Sequence, residues 1–549
     1  MLDDLDLRGI TDERARELVT RLLNLLEEVS ADLRATQAEI ERLREENRQL
    51  KGQTRKPKIK PNKGQAERQD VSSEKERRQP KERTKSRKNE AVVIDREQVV
   101  EVDRASLPAD AEFKGYEEVV VQDVIFRTDN VLFRKEKYYS ESEGKTYLAA
   151  LPAGYSGQFG PGIKALTLVF YYGAQMSEPK VAELLRNVGV HISDGQVSNL
   201  LIKDQDSFHA EKDAVYRAGL ESSPWQHLDT TGTRVNGQNQ HCHIVCNPLY
   251  TAYFTTASKD RLTVIDVLRN HRERRFVCND EALGYLEVFG LSAVRRQQAQ
   301  HLPRNTAVDE ATFEAWLGQH LPGLGPQQRK WILDATAVAA YHAELEFPVI
   351  RLLVADDAPQ FKWVTEDLAA CWVHDGRHYK QLSPLIAHHQ TLLDEFLTRY
   401  WDFYAELLVY QQQPMPEEHA RLTAACDEIF STVTGYDALD ARIAKSKAKQ
   451  VALLMVLDHP EIPLHNNPAE LGARSRVRKR DVSFGPRTEQ GKQAWDTFMT
   501  LAETSKKLGV SFYHYIHDRV SSTHAMSSLA DVITERAQEQ QLGDSWEPP

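Results

Sequence analysis

Apolar positions divide the chain into blocks with different periods. Near the N-terminus a heptad seam runs for five repeats, with Val19, Leu26, Leu33, Ile40 and Asn47 at a and Leu22, Val29, Thr36, Leu43 and Leu50 at d. A 3.5-residue repeat is the mark of a coiled coil, and an Asn at a favours one register. Residues 1–51 are therefore expected to form a helix that pairs chains; the alternative is an amphipathic helix packed on its own chain. Gly52, Pro57, Pro61 and Pro80 end the period, and residues 52–94 hold few large apolar side chains. Such a stretch is expected to be a basic, disordered linker until it meets a partner. From 95 to 155 the runs YEEVVVQDVIF, NVLFRKEKYYS and KTYLAAL, joined by TDN and ESEG turns, predict a small antiparallel β meander.

Residues 156–220 read as helical. GIKALTLVFYYGAQM is an apolar helix, Ser177 can cap PKVAELLRNVGV, Gly189 closes it, and Ser193 can start DGQVSNLLIKDQ. Helix, short Gly-containing turn, helix is the helix-turn-helix layout, although any αα-hairpin in a bundle has the same pattern. Gln196, Ser198, Asn199 and Lys203 are the polar side chains on its second helix that could face a DNA groove or phosphates.

Three β-type runs follow, WQHLDTTGTRV, QHCHIVC and LYTAYFTTA, with NGQN and NP between them. Asp260 to Asn270 reads as a helix, 271–346 as a mixed segment, and FPVIRLLVADD as an apolar strand ending in Asp356 and Asp357. A long helical stretch runs from Cys371 to about Val456, NNPAE opens a late helix, and a helix pair precedes a loose tail beyond Leu542. The pattern is that of a multidomain α/β protein, with a mixed sheet flanked by helices over 221–505 that includes the mixed segment at 271–346, and a C-terminal helix and tail at 506–549.

Charge changes this picture in one place. Between Lys51 and Asn89 there are fifteen Lys or Arg against five Asp or Glu, so the formal net charge of −11 is a surplus of ten on that segment against about −21 elsewhere. A basic tether beside an acidic body suits phosphate binding next to a carboxylate-rich centre, and it equally suits a solvated linker. No apolar run approaches the ~18 residues of a membrane span, and the acidic N-terminus has no signal-like core, so a cytoplasmic protein is expected. Five scattered cysteines fit a reducing compartment. Cys242 and Cys246, beside His241 and His243, lack a second pair at zinc spacing and read as core thiols.

Asp229 lies near the middle of the first strand, where a carboxylate is costly unless it is paired, hydrogen-bonded or bound to a metal. With Asp356 and Glu470 it makes three acids on different elements that a mixed sheet could bring together. Such a set can hold two divalent ions, Mg²⁺ or Mn²⁺, for in-line phosphoryl displacement. With 81 acidic residues many other triples exist, and strand-end or cap roles for these acids remain open.

HLDTTGTRV, then LLVADDAPQF followed by LAACWVHDGRHY, then HNNPAELGARSRVRKRDVSFGPRTEQGKQAWDTFMTLAETSKKLGVSFYHYI resemble the successive motifs of insertion-sequence-66 transposases, the TnpC-type members of the DDE class. The resemblance covers nearly the whole chain. It implies an RNase H-like catalytic core and Mg²⁺-dependent cleavage and joining of DNA at transposon ends, with Asp229, Asp356 and Glu470 as the acids. Partners would be double-stranded DNA (terminal inverted repeats and target), a second copy through the coiled coil in a homodimer or higher oligomer, and accessory transposition proteins, with no membrane.

Three departures stand out. The 95–155 module has no cysteine, so the family's zinc is not expected there. His465 replaces the acid that commonly precedes the two asparagines. The 271–346 insertion brings its own strand-like acid, making Asp280 a rival to Asp356, as Asp357 is by adjacency. Arg474, Arg476, Arg478, Lys479 and Arg480 could neutralise phosphates near the cut, or form a solvated basic face. His374 and Arg377 could contact DNA or position a phosphate, unless the histidine is buried and satisfied by backbone; Cys371 and Trp372 read as core. Against the transposase stand a catalytically inactive DNA-binding or assembly protein and a nuclease without joining activity.

Overall fold

The computed structural model describes residues 10–50, 92–103, 107–108 and 111–540, and side chains of residues 45–50 are outside that description. The basic run from Lys51 to Asn89 and the tail beyond Leu542 therefore lie outside the described residues, as do the side chains of Asn47 and Leu50 in the heptad seam.

The seam forms one helix, α1 (Glu13–Leu50). Two faces of it behave differently. Val19, Leu23 and Glu27, spaced four apart, turn toward the body: Leu23 is buried against Ile386. The Glu27 carboxylate accepts the N–H groups of Leu385 (2.6 Å) and Ile386 (3.2 Å) and bonds His389 Nδ1 at 3.1 Å. The a and d side chains Leu22, Leu26, Val29, Leu33, Ile40 and Leu43 stay exposed. Docking on the same chain, posed as the alternative to a coiled coil, thus uses a face that takes in Val19 of the seam and leaves the other described a and d side chains from Leu22 to Leu43 uncovered.

The expected meander is a correction. Among the described residues only its last two runs pair, as the hairpin β1 (Lys137–Ser140) and β2 (Lys145–Leu148). Val119, Val121, Val124 and Ile125 have no strand partner and are exposed. Strand propensity describes fitness for a half-buried pleated surface, and here no second surface is supplied.

The next helices are α2 (Pro161–Leu168), continued by a π-helical turn at Val169–Gly173, then α3 (Glu178–Asn187), α4 (Asp194–Ile202) and α5 (Asp206–Glu221). Gly189 between α3 and α4 takes φ 89°, where a side chain would be strained. Ser193 opens α4 with a capping box: its hydroxyl accepts Gln196 N–H, and Gln196 Oε1 accepts Ser193 N–H at 3.0 Å.

A five-stranded mixed sheet forms the centre, in the order β5-β4-β3-β6-β7. Strands β3 (Trp225–Val235), β4 (Gln238–Cys246) and β5 (Thr251–Thr256) make an antiparallel meander, while β6 (Leu352–Ala355) and β7 (Asp367–Ala370) add in parallel beside β3. Alternation on β6 divides its side chains between two cores: Leu353 and Ala355 join one, Leu352 and Val354 the other. All five cysteines are buried and free, with Cys242 and Cys246 inside β4.

Between β5 and β6 come α6 (Arg261–Leu268) and the 271–346 segment, which is mostly helical: α7 (Asp280–Val288), α8 (Ala293–Ala299), α9 (Glu310–His320) and α10 (Pro326–His342). After β7 come α11 (Trp372–Lys380), α12 (Ala387–Gln412), α13 (Pro416–Phe430), α14 (Asp437–Lys447) and the short α15 (Gln450–Leu453). The chain then returns to the sheet with α16 (Asn467–Ser483) and α17 (Glu489–Leu508), and ends in α18 (Phe512–Val520) and α19 (Leu529–Gln540). No helix among the described residues is long and apolar enough to cross a membrane.

An edge strand leaves a row of unpaired N–H groups, and here a helix satisfies them. Thr251, Tyr253 and Thr255 on β5 donate their N–H groups to Thr504 Oγ1 (3.2 Å), Thr500 Oγ1 (3.1 Å) and Asp496 Oδ2 (2.7 Å). The acceptors are four residues apart, so one face of α17 meets every second residue of the strand. Removing one should leave a buried donor unpaired. Thr500→Val is expected to lower unfolding stability in urea by about 1–3 kcal/mol, with Thr500→Ser losing less; equal losses would mean that the hydroxyl is not what holds the edge.

Candidate active site

Asp229 and Asp356 are brought together by strand register. The β3–β6 pairing runs from Trp225 opposite Leu352 to His227 opposite Val354; carried two residues further it sets Asp229 beside Asp356, on one face. Asp229 accepts the N–H of Thr230 at 2.7 Å and Asp356 that of Ala358 at 3.1 Å. Glu470 arrives from the first turn of α16, where its charge also complements the helix dipole. These three acids, with Cys371, His374, Arg377 and Asn466, line one cavity of ≈ 210 Å³.

The start of α16 is locked onto β3. Asn466 is buried, its amide donates to the Leu228 carbonyl at 2.9 Å, its Oδ1 bonds His227 Nδ1 at 2.8 Å, and its N–H reaches Cys371 Sγ at 3.3 Å. Burial pushes His227 down to about 3, so the ring is neutral and Nδ1 is the donor to Asn466. Two residues past Glu470, Gly472 lets the helix lie close on the sheet: a Cβ there would fall 2.8 Å from Ile244 Cγ2. Asn466 and Gly472 thereby set the position of Glu470. Neither was given a role by sequence reasoning, although both lie in or beside NNPAE.

Electrostatics follow from crowding acids in a partly closed space. Burial pushes Asp229 up to about 6, and the charges of Asp356 and Glu470 push the same way. Asp356 is also raised, by burial and then by Asp357. Asp357 points elsewhere: it lies 3.4 Å from His374 Nε2 and 2.7 Å from Lys449 Nζ, which hold it well below the usual carboxylate range. Its oxygens, His374 and His378 also offer three ligand atoms within 4.8 Å of one another. Glu470 makes a two-pronged pair with Arg377, at 2.7 and 3.0 Å.

Asp280 is not part of this centre. FVCND forms no named strand; Phe276 makes an isolated bridge to Val308, and Asn279 caps α7 through Ala282 N–H at 2.8 Å. Asp280 is a first-turn acid, fully exposed and paired with Arg304 at 2.5 Å.

The basic run of α16 splits by face. Ala469, Gly472, Ala473, Arg476 and Lys479 point inward. Arg476 is fully buried, bonded to Thr255 Oγ1 at 2.7 Å and paired with Asp496 at 3.2 Å, and its guanidinium lies 4.7 Å from the Trp495 ring centre. Lys479 is buried too, donating to the carbonyls of Tyr171 (2.6 Å) and Met176 (2.8 Å), and burial pushes it down to about 6. The expectation of phosphate contact therefore fails for these two, which join α16 to α17, the sheet and the π-helical turn. Arg474 and Arg478 are exposed, and Arg480 is half-buried with one arm on the Gly232 carbonyl at 2.6 Å. On α4, Asn199 and Lys203 are exposed and Ser198 half-buried, while Gln196 is committed to the capping box and to Gln158 at 3.1 Å.

A raised carboxyl pKa has a stability consequence with a definite sign. Asp229 takes up its proton more readily folded than unfolded, so its protonated form favours the fold, and that contribution disappears as pH rises through about 6. In buffer free of divalent ions, Asp229→Asn should match the parent below about pH 4. It should exceed it by roughly 1–3 kcal/mol at pH 7 to 8. A pH-independent difference would show that the carboxylate is well solvated.

No family model matches the chain. Over 325 residues, 58% of this chain and 99% of the relative, it is 33% identical to the uncharacterized protein y4jO of Sinorhizobium fredii. At that identity across nearly the whole of the relative, the chain belongs to the same family as y4jO.

Proposed function

We propose that this chain is a DDE transposase of the insertion-sequence-66 type, which cuts DNA at transposon ends and joins the freed ends to target DNA. The observation that carries the reading is the convergence of Asp229, Asp356 and Glu470, from segments 127 and 114 residues apart, on one cavity. The sheet order, with three antiparallel strands and two parallel additions, and the placing of Asp229 on β3 with Asp356 just past the end of its parallel neighbour β6, support an RNase H-like core.

The donor set fits divalent ions. Asp229 and Asp356 are hard oxygen donors whose ionisation is penalised by burial and mutual repulsion, a penalty that a dication would relieve. Mg²⁺ or Mn²⁺ held by these acids would polarise phosphate oxygens and lower the pKa of a bound water. The chain's own residues do the positioning. Asn466 and Gly472 fix Glu470, and Arg377, which also lines the cavity, pairs with it. In cleavage, water oxygen bonds to phosphorus, the P–O3′ bond breaks, the departing O3′ takes up a proton, and a 5′-phosphate remains. In joining, that 3′-hydroxyl attacks a target phosphodiester and releases an equivalent 3′-hydroxyl, so no further reactant is consumed.

DNA would be held by Asn199 and Lys203 of the α3–α4 helix-turn-helix, by the exposed Arg474 and Arg478, and by the basic tether. The uncovered a and d stripe of α1 would pair two copies.

Asp229→Asn, Asp356→Asn and Glu470→Gln should each cut Mg²⁺-dependent cleavage of a plasmid bearing the flanking inverted repeats by at least ~10²-fold, with DNA affinity retained. Chelation should do the same to the parent. An active Asp356→Asn variant would move the second acid to Asp357, and cleavage without strand-transfer product would reduce the reading to a nuclease.

A further inference from the structure

Beyond the cavity, α16 ends on an unusual side chain. Phe484 is 86% exposed, more than any other large hydrophobic among the described residues, and its backbone is left-handed at φ 58°. Bulky L-residues rarely adopt that conformation, and outliers of this kind mark positions that the surrounding structure over-determines. The surroundings here do so. Phe484 N–H caps the helix on the Arg480 carbonyl at 2.7 Å. Gly485 follows at φ 89°, pressed on the Arg234 backbone so closely that a Cβ would lie 2.3 Å from its carbonyl oxygen. Asn236, in the β3–β4 turn, donates its N–H to the Pro486 carbonyl at 2.9 Å. Hairpin and loop clamp each other, and the aromatic ring is left in solvent.

The chemistry around the ring selects its partner. Arg234, Arg478 and Arg487 are exposed nearby in the same two segments, with Asp481 between them. A protein-docking face would present contiguous apolar area; here one ring, with half-exposed Val482 two residues before it, belongs to a stretch of chain whose other exposed side chains include Arg478 and Arg487. An exposed aromatic held by a rigid backbone on a stretch of chain rich in exposed arginines suits a nucleic acid, with phosphates on the arginines and the ring against a base. Fourteen residues of helix separate Phe484 from Glu470, about 20 Å, or roughly half a turn of duplex.

Resting on the proposed DNA-cutting function, we propose that Phe484 is a wedge that enters and unstacks a base step of the bound duplex within about 20 Å of the cleavage centre. Its work is least where a step is already unpaired. The test uses the full chain and two duplexes of one sequence, fully paired or carrying a single mismatch. Affinities are measured at several salt concentrations. The parent should prefer the mismatched duplex by about tenfold. Phe484→Ala should bind both alike with an unchanged salt slope and an unchanged melting temperature, and Phe484→Trp should keep the preference. Arg478→Ala with Arg487→Ala should weaken both complexes and flatten the salt slope. A preference that survives Phe484→Ala, or its absence from a parent that binds and cuts DNA, overturns the wedge alone. A parent that binds neither duplex overturns the wedge together with the function it rests on.

Discussion

Two carboxylates brought side by side by adjacent parallel strands, one on β3 and one just past the end of β6, are the constraint around which this molecule is arranged. Asp229 and Asp356 share a face of the β3–β6 pair, and burial raises the pKa of both. A soluble fold has no need of such a pair, because like charges in a low-dielectric site oppose folding. It persists only if the neighbourhood is held rigid by other interactions. The covered edge of β5, the Asn466 bridge from α16 to β3 and the Gly472 contact with Ile244 are of that kind. Each fixes backbone near the acids without neutralising them, so the charge stays available for an ion.

Helix α16 serves several parts of the proposed function along its length. Its first turn brings Glu470 to the cavity, and its inner face carries Arg476 and Lys479 as buried connectors. Its outer face leaves Arg474 and Arg478 in solvent, and its last residue leads into the clamped Phe484. The inner connectors reach the π-helical turn: Lys479 holds the Tyr171 and Met176 carbonyls, and Gln175 donates to Ser475 Oγ at 2.9 Å. The helical unit that carries α4 is thus bonded to the helix that carries the third acid. Motion of one relative to the other would require breaking these hydrogen bonds, and a buried polar group left unpaired is costly.

Where the periodic signal was long, the sequence was readable. The strands around Asp229, the β6 strand leading to Asp356, the Ser193 cap and the late helix that NNPAE opens all follow from alternation, capping residues and turn signals. What was not readable depends on distant partners. Val119, Val121 and Ile125 have strand character but no neighbour to pair with, and Thr500 finds Tyr253 across 247 positions. Two misreadings had a local warning. Asn279 before Asp280 and Glu281 is a helix-start pattern, at odds with a strand acid. Ala469, Gly472, Ala473 and Arg476 share one helical stripe, so the small residues already marked the face on which Arg476 is buried. The shared role proposed for the acids came from resemblance, and spacing alone did not select them.

The central claim is that one divalent-ion centre is built by Asp229, Asp356 and Glu470. Mn²⁺ binding followed by electron paramagnetic resonance tests it most directly, with no need for DNA or turnover. The account predicts that the parent binds Mn²⁺, that Asp229→Asn combined with Asp356→Asn abolishes binding, and that His378→Ala leaves it intact. Binding that survives the double substitution but disappears with His378→Ala would place the ion at Asp357, His374 and His378, and would contradict the account.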